Sequence, residues 1–84
     1  MTIREKVIEE LLAEREYQDH KWGGEEHDNS LTQEDWLRHI IKHLCRAAGE
    51  VKDLDKFHYH LVRVAALAVA AAEWCVRGEG SKNK

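Results

Sequence analysis

His39, His43 and Arg46 recur at steps of four and three residues, and His60 and Arg63 lie three apart, so each set falls on one side of a helix. Lys42 sits beside the first set. Arginine presents a planar fork matched to phosphate oxygens, lysine a point charge, and histidine a donor that charges near neutral pH. Side chains of these types, gathered in one place, bind an anion such as a phosphate group. Their setting sharpens the reading. Sixteen Asp and Glu outnumber thirteen Lys and Arg, yet no acid lies between Trp36 and Gly49 or between Lys56 and Ala72. A net charge of −3 argues against general nucleic-acid binding, so any anion site must be local. The plain alternative is a solvated polar face edged with histidines.

Two metal readings compete with the anion reading. His39 and His43 have the i, i+4 spacing found on zinc-binding helices, with His58, His60 and Cys45 as possible additions, but no second local pair completes a zinc signature. Magnesium would need carboxylates, which Glu14, Glu16, Asp19, Glu50 and Glu73 could supply only from separate stretches. No cofactor is therefore expected, and magnesium enters only if the protein is an enzyme with relocated acids.

The elements that must position these groups are helices. The chain lacks proline and is rich in Ala, Leu, Glu and Arg, which favours an all-α fold. Thr2 and Glu5 form a capping box ahead of a helix from Ile3 to Asp19, with Ile3, Val7, Ile8, Leu11 and Leu12 as its apolar stripe. A loop, Lys21–Ser30, follows. It carries Lys21, Trp22 and two glycines, and it reads either as a lid over a site or as a connector with Trp22 folded onto the core.

A second helix starts at Thr32, with Asp35 at its N3 position and a Leu31–Trp36 staple, and ends near Gly49. Its buried side should hold Trp36, Ile40, Leu44, Ala47 and Val51, with His39, His43, Arg46 and Glu50 along the border. The third helix follows a turn through Asp53–Asp55 and ends before Gly78.

That third helix is apolar on two nearly opposite sides, Phe57, Leu61, Val64, Ala68, Ala71 and Cys75 against Val62, Ala65, Ala66, Val69 and Val76. Two other short helices cannot cover both sides, so a homo-oligomer centred on this helix is expected. An 84-residue chain with a lone core would in any case be marginal. The expected protomer is a three-helix domain, residues 1–77, with a flexible tail over 78–84. Cys45 and Cys75 read as reduced, buried thiols, the charged N-terminus is unlike a signal peptide, and the longest apolar run, Val64–Ala72, falls well short of the ~18 residues of a membrane span. These features suggest a cytosolic protein.

The string Glu14-Arg15-Glu16-Tyr17-Gln18-Asp19-His20-Lys21-Trp22-Gly23-Gly24, followed by His27-Asp28 and Asp35-Trp36, resembles small phage and bacterial proteins of the MazG-like type, members of the all-α nucleoside triphosphate pyrophosphohydrolase superfamily. The alanine-rich segment Leu61–Ala71 is also similar, and the likeness runs from about Ile3 to Arg77. It implies a helical bundle with a nucleotide-sized cleft. Active members hold magnesium on an E-E-x-x-E pattern and an E-x-x-D pattern. Laid on this chain, the first falls on Lys42, His43 and Arg46, and the second on His60 and Arg63. Cations and imidazoles there cannot hold a hard metal ion. The resemblance thus implies a catalytically inactive relative that binds a nucleotide or another phosphorylated small molecule. His39, Lys42, His43, Arg46, His60 and Arg63, with Lys21 near the phosphates and Trp22 or Trp36 against a base, form the expected site. An active pyrophosphohydrolase using Glu16, Asp19, Glu50 and Glu73, and an interaction module with no ligand, are the alternatives.

Overall fold

The computed structural model describes residues 1–78 and contains four helices, α1 (Ile3–Trp22), α2 (Gly24–Asp28), α3 (Gln33–Ala48) and α4 (Leu54–Val76). The described residues are helical or in turns and contain no strand. Beyond Gly78, the expected flexible tail lies outside the described residues.

Both capping boxes form. The Thr2 hydroxyl accepts from the Glu5 amide at 3.1 Å while the Glu5 carboxylate takes the Thr2 amide at 2.8 Å, and Thr32 and Asp35 repeat the exchange at 3.1 and 2.9 Å. Asp53 caps α4 by accepting from the Lys56 amide. Each of these contacts satisfies an amide that a helix start leaves without a partner in the helix.

The expected three helices become four because of Gly23 and Gly24. α1 continues past Asp19 to Trp22, since no residue there breaks it. It ends where Gly23 takes φ 98°, with its amide closing on the Asp19 carbonyl. Gly24 also has positive φ, and the chain restarts as the single turn of α2. Most of the expected Lys21–Ser30 loop is thus helical.

α4 is the spine. Its acid and base partners on α1 rise together in number, Glu10 with His58, Glu14 with Arg63 and Arg15 with Glu73, so α1 and α4 run parallel. α3 runs antiparallel to α4, because Trp36 packs near Ala70 and Trp74 while His43 lies near Arg63 and His60. α1 and α3 both flank α4 without packing on each other, and α2 closes one end of the gap between them.

The core is small. Trp36, Ala70 and Trp74 are its centre, with Leu31, Leu67 and Ala71 against them, so the expected Leu31–Trp36 staple docks on the core. Ala47 and Ala66 are buried as well. α3 is rotated relative to its expected register. Its inward line is Trp36, Ile40, His43 and Ala47, while Leu44 and Val51 are exposed. The bulk of Trp36 seats beside Ala70, and the i+7 position that follows is His43 rather than Leu44. On α1 the expected apolar stripe is also largely exposed, and the buried residue is Gln18. Cys45 and Cys75 are both exposed free thiols, contrary to the buried placement expected for them.

α4 is long and apolar enough, by length and composition alone, to cross a membrane, and most of it is not buried within the protomer. Arg63 and Glu73, however, lie within it and are ion-paired to α1. With a radius of gyration of 13.8 Å, the chain is more open than the ~12 Å of a compact domain of its length.

Candidate functional site

The gap between α1 and α3 is a cleft of about 150 Å³, floored by Arg63, Leu67 and Ala70 of α4. Trp22, His39, Lys42, His43 and Arg63 line it, and these are five of the eight residues expected at the site. Helices 3 and 4 therefore do present their cations to one space. Lys21 is at the rim, its ammonium 5.0 Å from the Trp22 ring and 5.7 Å from that of Tyr17, an arrangement that holds the charge against aromatic faces. Arg46 and His60 do not line the cleft. Arg46 projects into solvent from the last turn of α3, and His60 stands edge-on to Tyr59 with ring centroids 5.3 Å apart. The rotation of α3 that turns His43 inward carries Arg46 out.

His43 behaves differently from a cationic ligand. It is 9% exposed, and burial, followed by the nearby charges of Arg63, Arg46 and Lys42, pushes its pKa down to about 4. It is thus a neutral imidazole at pH 7, able to donate or accept a hydrogen bond but carrying no charge. Its Nδ1 has no hydrogen-bond partner, and neither has Gln18 Oε1 or Trp36 Nε1, two further sealed polar atoms on residues lining the cleft. Polar atoms left in this state are uncommon in folded proteins and cluster where function needs them.

The positive charge comes from Lys42, which is exposed, and from Arg63. Arg63 Nη1 donates to the Tyr59 hydroxyl at 2.7 Å, and its Nε lies 3.7 Å from Glu14. Glu14 in turn accepts from Gln18 at 3.2 Å. Arg15, next along the chain, binds Asp19 at 3.0 Å and Glu73 at 2.7 Å. The Glu14-Arg15-x-x-Gln18-Asp19 string is thus two interleaved i, i+4 pairs, each reaching across to α4. One pair holds a base of α4 and the other an acid, and this fixes the angle at which α1 leaves the cleft open.

In the sequence this string carries the family likeness and two of the acids considered for magnesium, Glu14 and Asp19. The structure shows Arg15, Gln18, Asp19, His27 and Asp28 in the cleft wall. The available signal was the i, i+4 register of Glu14 with Gln18 and of Arg15 with Asp19, one turn ahead of a tryptophan. Trp22 stacks on His27 with centroids 6.0 Å apart, so the aromatic at the mouth is held by α2.

Of the acids considered for magnesium, Asp19 lines the cleft and Glu73 meets it only through Arg15, while Glu16 and Glu50 lie elsewhere. Among the described residues no three His, Cys, Asp or Glu side chains are grouped as a metal site would require. Arg15, Asp19 and Asp28 also line a wider groove of about 580 Å³ between α1, α2 and α4. The cleft alone is smaller than the ~300 Å³ at which small-molecule sites begin, but the groove falls within their range.

Comparison with protein-family models, with characterised proteins and with solved structures finds no match to this chain.

Proposed function

We propose that this protein binds a nucleotide or another phosphorylated small molecule at the cleft between α1, α3 and α4, and that it does so without hydrolysing it. The observation that carries the reading is the convergence of Lys42, His43 and Arg63 from two acid-free helices on one cleft in a net acidic chain. Lys42 is the charge there without an acid partner among the described residues, and it is the group on which an anion would close. Trp22, half-exposed at the mouth, offers a face on which a base can stack.

The motif resemblance favours a MazG-like relative whose metal-binding acids have been replaced, of the kind found in phages and bacteria. Two exposed thiols fit a reducing bacterial cytoplasm. The reading also includes a homo-oligomer. Leu54 is 80% exposed, Leu12 57% and Ile8 47%, and Val7, Leu11, Leu54, Phe57 and Leu61 line one apolar groove between α1 and the start of α4. A second copy of the chain covering α4 would bury this surface, and the ion-paired Arg63 and Glu73 favour that occupant over lipid.

Thermal stabilisation by nucleoside mono-, di- and triphosphates, with and without magnesium, tests the proposal. Stabilisation that is independent of metal and lost in Lys42→Glu is expected. Lys42 is exposed and unpaired among the described residues, so its reversal should leave the fold intact. Stabilisation that appears only with magnesium would instead favour the relocated-acid enzyme.

A further inference from the structure

Asp28 sits at the end of α2, in the wall shared by the cleft and the wider groove. It is 8% exposed, yet its carboxylate has no hydrogen bond and no ion pair within 4.0 Å among the described residues. Its two arginine neighbours have other partners, although Arg15 Nε and Arg77 Nε carry no hydrogen bond. Arg15 is taken by Asp19 and Glu73, and Arg77 by Glu25 and Asn29. Burial and the nearby Asp19 raise its pKa, against the pull of Arg15, His27 and Arg77. The Asp28 oxygens are not among the polar atoms sealed from solvent, so their remaining access is through the two cavities it lines.

A buried carboxylate without a partner destabilises the fold and needs a reason to be there. It cannot face a phosphate, because two anions at contact repel. It can only accept a hydrogen bond from a donor or pair with a cation. We propose that Asp28 is a specificity-determining residue. Resting on the phosphorylated-ligand reading above, it accepts a hydrogen bond from an O–H or N–H group on the non-phosphate part of the ligand. The cations of the cleft take the phosphate on one side, and Asp28 selects at the junction of cleft and groove for molecules carrying a donor beside that phosphate. A site built to satisfy such a donor rejects analogues lacking it more strongly than a merely apolar pocket can.

The test measures binding of three probes to the wild-type chain and to Asp28→Leu, which removes the acceptor, by equilibrium dialysis: a pool of the four ribonucleoside 5′-monophosphates, ribose 5-phosphate, and inorganic pyrophosphate. The variant should lose about tenfold or more in affinity for the nucleotides and keep its affinity for pyrophosphate. A parallel loss for ribose 5-phosphate would assign the donor to the sugar hydroxyls, and a loss confined to nucleotides would assign it to the base. The same variant should melt higher than wild type, because a desolvated charge has been removed; a purely structural carboxylate would give a lower Tm. Nucleotide affinity within twofold of wild type in Asp28→Leu overturns the assignment while leaving the binding function standing. Failure of the wild-type chain to retain any of the three probes overturns both.

Discussion

The two ends of α4 are finished in opposite ways. Around its C-terminal half, Trp36 and Trp74 pack on Ala70, α2 closes the end of the bundle, and the neighbouring cleft carries sealed polar atoms with no partner. Around its N-terminal half, Val7, Leu11, Leu54, Phe57 and Leu61 leave an apolar groove open. The C-terminal half carries the packed aromatic core, while the N-terminal half leaves its apolar groove open. Unmet polar groups beside a packed core are what a small polar ligand answers, and unmet apolar groups at a helix start are what another polypeptide answers. On the proposed reading, ligand binding and self-assembly fall to different regions along a single helix.

The contrast can be broken at either end. The largest effect is expected from Trp74→Ala, which empties the core under the cleft and should cost about 3–5 kcal/mol, enough to unfold a domain of marginal stability; a denaturant titration followed by helical circular dichroism reads it. Leu61→Glu, placed in the other region, should leave helicity largely intact at high concentration but shift the species seen by light scattering from oligomer to monomer. If Leu61→Glu leaves the mass unchanged, the groove is not the assembly surface. Next comes Lys42→Glu, expected to weaken nucleotide binding by about ten- to a hundredfold, the range for one hydrogen bond to a charged group, with little change in Tm.

The smallest expected effect is on pH dependence. The folded-state pKa of His43, about 4, lies below the 6.5 of an unperturbed histidine, so the unfolded chain binds the extra proton first. The stability that neutral His43 represents is present above about pH 6.5 and is lost as pH falls toward 4. His43→Gln should flatten the fall in Tm across that window, and a curve of unchanged slope would show that other groups control acid stability.

The sequence made the helices legible because their signals are local. Thr2 with Glu5 and Thr32 with Asp35 mark two helix starts within four residues each, and both formed as read. The residue types of Lys42, His43 and Arg63 were legible, but their meeting in one cleft was not, because spacing along two helices does not say which way each helix is turned. Nor was the rotation of α3. Leu44 and His43 are adjacent, and hydrophobicity alone assigns the leucine to the interior. Only the fit of Trp36 beside Ala70 and Trp74, a contact between residues more than thirty apart, turns the histidine inward. α2 was missed for a similar reason, since Gly23 and Gly24 read as a loop while their positive φ values permit a break and an immediate restart. Asp28 entered only as part of the family likeness, because a single acid in a charged stretch carries no sign of being buried.

The most direct test of the central claim is equilibrium dialysis of the intact protein against a mixed nucleotide pool, with and without magnesium, followed by mass spectrometry of both chambers. A phosphorylated species retained unchanged on the protein side, equally in the absence of magnesium, is the predicted result. Conversion of a triphosphate to its monophosphate when magnesium is present, or the retention of no phosphorylated species at all, would contradict it.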